Sequence, residues 1–277
     1  MRTLNRHAKL AALVLSAAAL IACDGGVTPP TQDTPDTPGN PGGGAVGFPI
    51  TTFTTPASGE CPAVRPKSVL VDPTHDGGVW WFPQAASTAD GFNPDSAHQG
   101  RAFANYLRAQ GYTVTELGRG GTLPTDSMRA YATVIRAGYW YDALHPGYSA
   151  ADLAAYAAYL HCPRTLIVLG EFLRDGRRDV LADSLGIPLS GIITSTITDF
   201  TAHALTTGVS SVPFIAGSYL ASESNAAIQV LGRLPTGEAV MGVLAKGDAK
   251  VFFIGDMNGI QLLPQPFVQN LVAWGFQ

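Results

Sequence analysis

The chain has 277 residues, with 17 Lys and Arg against 21 Asp and Glu, a net charge of −4, and 46% hydrophobic residues. Residues 1–22 hold three of the cations and no acid, so the remainder carries 14 basic against 21 acidic groups, a net charge of −7. With that balance and no run of Lys and Arg standing out in the sequence, the surface is expected to repel a polyphosphate chain, and a nucleic acid is not expected as partner.

Arg2, Arg6 and Lys9 precede an uncharged run, mostly Ala, Leu, Val and Ile, over 10–22. The run is shorter than the ~20 residues a membrane-spanning helix needs, and a basic leader before a short apolar core is the pattern of a cleaved signal peptide. Leu20, Ile21 and Ala22 then lead into Cys23 in the manner of a lipobox: a bulky apolar residue, a small residue before the cut, and a cysteine to receive the lipid. Residues 1–22 are therefore expected to be a lipoprotein signal peptide and Cys23 the lipidated first residue of the mature chain. Several acyl chains give a stable anchor. The expected location is the bacterial cell envelope, facing the periplasm or the exterior.

Residues 23–57 are rich in Thr, Pro, Gly and Asp, with too little apolar surface to offset the entropy of ordering. They are expected to form a disordered tether. Residues 58–277 are long enough for one domain with a sizeable core. Three cysteines are present. With Cys23 lipidated, Cys61 and Cys162 remain in a compartment that permits disulfides, either bonded to each other or as two separate buried thiols.

Within the domain, 68–72 (Ser-Val-Leu-Val-Asp, then Pro73) has the composition of a short buried strand. Asp95 and Ser96 are candidate caps for a helix that turns Phe103, Tyr106 and Leu107 to one side and closes at Gly111; a strand follows at 112–117. This is the grammar of a strand-helix-strand unit. A third strand is expected at 132–137. Ser149 and Asp152 frame a capping box for a helix with Leu153, Tyr156 and Leu160 on one side, ended by Pro163. A fourth strand at 165–169 and a short helix at 179–185, stopped by Gly186, come next. The Ser-, Thr- and Gly-rich stretch 187–225 reads as short strands and loops. Segments 239–245 and 250–254 form a hairpin turned at Gly247-Asp248, and a last helix aligns Phe267, Leu271 and Trp274. The expected fold is an α/β three-layer sandwich with a largely parallel sheet and antiparallel edge strands. In such a sheet Cys61 and Cys162 fall at the same amino-terminal edge, which favours the disulfide.

The order Val69-Leu70-Val71-Asp72-Pro73-Thr74-His75, Gly111-Tyr112-Thr113-Val114 and Leu166-Ile167-Val168-Leu169-Gly170 resembles the class I glutamine-amidotransferase-like fold, and more narrowly its non-catalytic relatives of the DUF4350 type. His203-Ala204-Leu205-Thr206-Thr207-Gly208-Val209, Val251-Phe252-Phe253-Ile254-Gly255-Asp256 and Asn270-Leu271-Val272-Ala273-Trp274 add to the likeness, which spans 66–277. The resemblance implies a flavodoxin-like layering. Catalytic members of that fold carry a nucleophilic cysteine on the sharp turn after the strand found here at 165–169. This chain has Gly170-Glu171-Phe172-Leu173 there, and Cys162 lies at the opposite end of that strand. A nucleophile needs an exposed position and an adjacent base. Amidotransferase activity is not expected, and no catalytic residue is assigned.

Ligands of open α/β sheets bind at the carboxyl ends of the strands. Those ends place Asp72, His75 and Asp76 after the first strand, Trp140 and Tyr141 after the third, Glu171 after the fourth, and Asp256 and Asn258 after the last. Trp80 and Trp81 stand beyond the first strand. Aromatic faces beside carboxylates and amides suit a glycan; alternatively the rings pack on one another and seal the core. His75, Asp76 and His98 with Glu171 or Asp256 include metal-binding donor types, but no ligand spacing supports a site, so neither metal nor cofactor is expected. Asp72 and Glu171, facing each other across neighbouring strands, would be the minimum for glycoside acid/base chemistry. The expected function is a membrane-anchored binding or scaffolding domain for a glycan or an envelope protein. A carbohydrate-active hydrolase using Asp72, His75 and Glu171, or a purely structural protein-partner module, are the alternatives.

Overall fold

Strand β1 (Arg65–Asp72) is buried over its last five residues, and β3 (Tyr131–Arg136) and β4 (Thr165–Leu169) are buried throughout. Runs buried on both faces are what a parallel sheet between two helical layers requires. The structure, a computed structural model, describes residues 60–75, 81, 100–118, 121–138, 147–171, 173, 177–261 and 265–276. The expected signal peptide and tether, with Cys23, lie outside these residues, as do Asp76, Trp80, His98, Trp140 and Tyr141.

The other elements are α1 (Arg101–Ala109), β2 (Thr113–Glu116), α2 (Ala150–Leu160), α3 (Val180–Leu185), β5 (Leu189–Ile197), β6 (Asp199–Phe200), β7 (Val212–Leu220), β8 (Gln229–Arg233), β9 (Ala239–Lys246), β10 (Ala249–Ile254), α4 (Asn258–Gln261) and α5 (Pro266–Gly275). Eight strands form one sheet in the order β2-β1-β3-β4-β10-β9-β8-β6. The pairs from β2 to β10 are parallel, and those from β10 to β6 antiparallel. This is the expected α/β sandwich. No described helix is long and apolar enough to cross a membrane.

Alternation along the strands divides the core. Val69, Val71, Ile135, Ile167, Phe252 and Ile254 pack with Phe103 and Leu107 of α1 and Phe267 and Leu271 of α5. Leu70, Val134, Leu166, Val168, Val251 and Phe253 pack with Tyr156 and Tyr159 of α2 and Leu181 and Leu185 of α3. Each such side chain contributes roughly 1.5–3 kcal/mol when fully buried. The capping box of α2 forms as its sequence requires: Ser149 Oγ accepts from the Asp152 amide at 3.2 Å, and Asp152 Oδ2 accepts from the Ser149 amide at 2.9 Å. Asp179 Oδ1 caps α3 through the Ala182 amide at 2.9 Å. The β9–β10 hairpin turns at Gly247, where a Cβ would lie 2.4 Å from the Leu160 carbonyl oxygen, so only glycine lets the turn reach the end of α2.

The stretch 187–225 differs from the expectation of short strands. β5 and β7 are nine residues each and pair antiparallel as a ribbon separate from the main sheet. Ser, Thr and Gly are weak strand signals, and pairing with a partner decides what their propensity leaves open.

Cys61 and Cys162 are bonded, with Cα atoms 5.6 Å apart. The bond joins the approach to β1 to the end of α2, and two guanidinium groups hold the same segment: Arg129 Nη2 donates to the Glu60 carbonyl at 2.8 Å and Arg164 Nη2 to the Pro62 carbonyl at 2.7 Å. The two cysteines are 101 residues apart, so the bond removes a large loop entropy from the unfolded chain. Replacing both cysteines by serine is expected to lower stability by about 2–5 kcal/mol. Urea unfolding under non-reducing conditions reads this directly; an unchanged midpoint in the variant would show that the bond does not support the fold.

Candidate functional site

The carboxyl edge of the parallel sheet is built around buried charge. Asp72, the last residue of β1, is 1% exposed, and Pro73 stops the strand. Its Oδ1 accepts from the Thr74 amide at 3.0 Å and the Thr74 hydroxyl at 2.5 Å, turning the chain. Its Oδ2 accepts from the hydroxyls of Tyr156 at 2.5 Å and Tyr148 at 3.2 Å. Four donors thus satisfy one buried carboxylate, each such bond contributing about 1.5–3 kcal/mol. Burial raises the Tyr156 pKa well above its ordinary value, which keeps the hydroxyl a donor.

Arg136 stands beside Asp72 in the β1–β3 register and is wholly buried. Its Nη2 meets Asp179 Oδ2 at 2.5 Å. Burial, the largest single effect, opposes the guanidinium charge, but the charge and hydrogen bond of Asp179 together with the Tyr148 and Tyr156 hydroxyls outweigh it, so the Arg136 pKa lies above its ordinary value. The cation therefore ties the end of β3 to the start of α3.

His75 is at the border between this network and solvent. Its ring centroid lies 3.9 Å from that of Tyr148, and its Nε2 is 3.5 Å from Asp152 Oδ2. Burial pushes its pKa below the ordinary 6.5, against the pull of Asp72 and Asp152. A neutral imidazole can accept or donate. It faces an open cleft of about 400 Å³ whose polar wall is Thr122, Thr125, Ser149 and Asp152. Hydroxyls, one carboxylate and one imidazole match the donors and acceptors of a polyhydroxylated ligand.

The remaining expected residues divide. Asp72 and His75 are joined through Tyr148. Asp72 and Glu171 do not face each other across neighbouring strands: β3 lies between β1 and β4, and Arg136 pairs in register with Asp72 on one side and Val168 on the other. Glu171 is 1% exposed, its side chain close to Gly138 at the end of β3. Trp81 is not on a rim; it is wholly buried against Phe103, with ring centroids 6.5 Å apart, so here the ring seals the core. Asp256 is wholly buried as well. It accepts from the Ile215 amide of β7 at 2.6 Å, and from the amide and Nδ2 of Asn258 at 3.0 and 2.8 Å; Asn258 Nδ2 also donates to the Ile215 carbonyl at 3.1 Å. These two residues latch the ribbon to the sheet. Among the described residues no three of His, Cys, Asp and Glu come together to hold a metal ion.

The turn after β4 is closed by backbone. A Cβ on Gly170 would come within 2.8–2.9 Å of Gly255, and one on Gly255 within 1.8 Å of the Ser218 carbonyl oxygen. Neither position tolerates a side chain.

Arg136 and Tyr148 escaped the sequence reading, and Asp152 and Asp179 were read only as the starts of helices. Arg136 was the available signal, a lone cation at the inner end of the apolar run 132–137. Tyr156 was recognised only as part of a helix face.

Two outcomes follow from these buried charges. Arg136→Met should cost about 3–5 kcal/mol, because Asp179 keeps its burial and loses its cation; a loss under 1 kcal/mol in urea unfolding would show that the pair is dispensable. Asp256 titrates in an unusual range: burial raises its pKa from 3.8 to about 6, against the bonds from Asn258 and Ile215. A carboxyl raised in the folded state binds its proton more tightly there, so its contribution is fully present below pH 3.8 and is lost as pH rises through about 6. The stability difference between wild type and Asp256→Asn should fall by ~3 kcal/mol across that window. Parallel pH profiles for the two proteins would refute this.

No protein-family model matches the chain, and no curated protein does. Among solved structures, the IFT52 N-terminal domain is similar with a TM-score of 0.53 at 10% identity, over 74% of this chain and 94% of that domain. A cytoplasmic protein from Salmonella typhimurium is similar at 0.49 and 10% identity, over 75% and 98% of the two chains. A ThuA-like protein from Bacteroides uniformis is similar at 0.46 and 13% identity, over 78% and 91%. The first likeness shows a shared fold and nothing of activity.

Proposed function

We propose that the chain is a lipid-anchored extracytoplasmic domain of amidotransferase-like fold that binds or scaffolds rather than catalyses, with a glycan as ligand taken in the cleft beside His75. The observation that carries this reading is the turn after β4. Gly170 and Glu171 occupy the place where the resembled fold carries its nucleophile, and Gly255 fills the space a nucleophile would need. The hydrolase alternative is weaker, because glycoside chemistry needs two carboxyl groups flanking one bond. Asp72 is buried beneath four donors and separated from Glu171 by a strand. The composition of residues 1–23 supports the anchor.

The test is a glycan array probed with the purified protein, with His75→Ala, and with Ala151→Trp, which fills the cleft from the first turn of α2. Binding should fall at least about tenfold in both variants, the equivalent of one lost hydrogen bond, while their thermal unfolding stays that of wild type. Binding untouched by both substitutions, or hydrolysis of a bound glycan, would overturn the reading. Cys23→Ala should move the protein out of the lipidated membrane fraction.

A further inference from the structure

The edge of the sheet opposite the cleft has a charge of its own. Every lysine after residue 22 lies there: Lys67 in the first half of β1, Lys246 at the end of β9 and Lys250 at the start of β10. Arg65 opens β1, Arg129 stands two residues before β3 and Arg164 immediately precedes β4. Nearby acids are Glu60 and Asp248, in a chain whose remainder after residue 22 is net acidic. The cations span five adjacent strands, a stripe roughly 20 Å wide at the usual strand spacing.

Aromatic rings accompany the charges. Arg65 lies over Tyr131 at 5.3 Å, Lys67 over Tyr112 at 5.5 Å and Lys250 over Trp274 at 4.7 Å. Tyr and Trp beside Lys and Arg is the composition of protein surfaces at the boundary between water and lipid. Val64 is 42% exposed on this edge, beside a cleft of about 390 Å³ lined by Arg164, Thr165, Asp248 and Lys250. Lys67 also adopts φ 51°, at a bulge where glycine would be unstrained.

The covalent path converges on the same edge. Residues 60–64 are held there by the Cys61–Cys162 bond and by Arg129 and Arg164. The chain leading back to Cys23 therefore joins the domain at this edge. On the anchor reading, a segment of that length holds this edge at high effective concentration near the lipidated residue. Weak attraction per cation then suffices. Four of the cations have a local role too: Arg129 and the buried Arg164 hold the Glu60 and Pro62 carbonyls, and Lys250 donates to the Trp274 carbonyl and Lys67 to the Gln110 carbonyl near helix ends. That role does not extend to Arg65 or Lys246.

We propose that this amino-terminal edge docks on anionic phospholipid headgroups, so that the domain rests on the bilayer with its ligand cleft turned away. The tethering part of the argument rests on the lipid-anchor reading; the charge distribution does not.

The lysines themselves provide the readout. The full chain is combined with vesicles of phosphatidylcholine, with or without phosphatidylglycerol, and acylation of Lys67 and Lys246 by an amine-reactive reagent is followed by mass spectrometry. Docking should slow both at least about fivefold, the contribution of a single cation near an anionic surface, on phosphatidylglycerol vesicles only. High salt should restore the rates. In Arg65→Gln combined with Lys246→Gln, Lys67 should react almost equally fast on both vesicle types. Equal rates for the wild type on the two vesicle types overturn the proposal, whatever the anchor does. Flotation with neutral vesicles reads the anchor separately, because those vesicles offer no charge to the edge.

Discussion

Removing a guanidinium from water costs several kcal/mol even after the surroundings relax, and Arg136 is wholly removed, at the inner end of a central strand. That cost is offset by a carboxylate held in a fixed position, and the start of α3 holds it: Asp179 is both cap and counter-ion. Asp72 ends β1 at the neighbouring register, and its own burial is satisfied by Thr74 and by the hydroxyls of Tyr148 and Tyr156. Those two hydroxyls fix the start of α2, and with it the Ser149–Asp152 turn that walls the cleft. Two buried charges thus set where two helices begin, Arg136 through Asp179 at α3 and Asp72 through the two tyrosines at α2.

At the same edge the turn after β4 is closed by backbone. A nucleophile elbow needs a side chain on a tight turn with space in front of it. At Gly170 the space in front is the backbone of Gly255, and behind Gly255 lies the carbonyl of Ser218 on β7. The ribbon of β5 and β7 is therefore packed over the end of β10 by backbone contact, and Asp256 latches it through the Ile215 amide. A cysteine placed at Gly170 would press its Cβ against the Gly255 backbone, so room for a side chain at that turn would need the ribbon to move as well.

Much of the fold was legible because its signals are local. The strand at 165–169 is an unbroken apolar, β-branched run, and the caps at Ser149 and Asp179 each place an oxygen before a helical pattern. The disulfide followed from topology, since both cysteines sit where strands one and four begin. The ribbon was less legible because Ser, Thr and Gly do not commit a chain to strand until a partner pairs with it. The site was read only in part, for a different reason. Asp72 and His75 announce themselves after a strand, but whether a carboxylate faces a ligand or a tyrosine hydroxyl depends on residues up to 84 positions away. The expected pairing of Asp72 with Glu171 failed on strand order, which no local pattern carries: β3 intervenes although it lies between the two in sequence as well.

The two edges of the sheet now separate two demands that would conflict on one surface. A cleft for a neutral polyhydroxylated ligand works best with few net charges and with polar groups already held in place, as the contacts of His75 with the Tyr148 ring and with Asp152 provide. A surface that meets anionic headgroups needs the opposite, several exposed cations whose exact geometry matters little. Strands of five to eight residues place these surfaces roughly 17–27 Å apart, more than two Debye lengths at physiological salt. Charge at the amino edge is therefore screened from the cleft, and ligand bound at the cleft leaves the cations untouched. The Cys61–Cys162 bond fixes which edge the preceding chain reaches first, so covalent connectivity and the cationic side chains meet at the same edge.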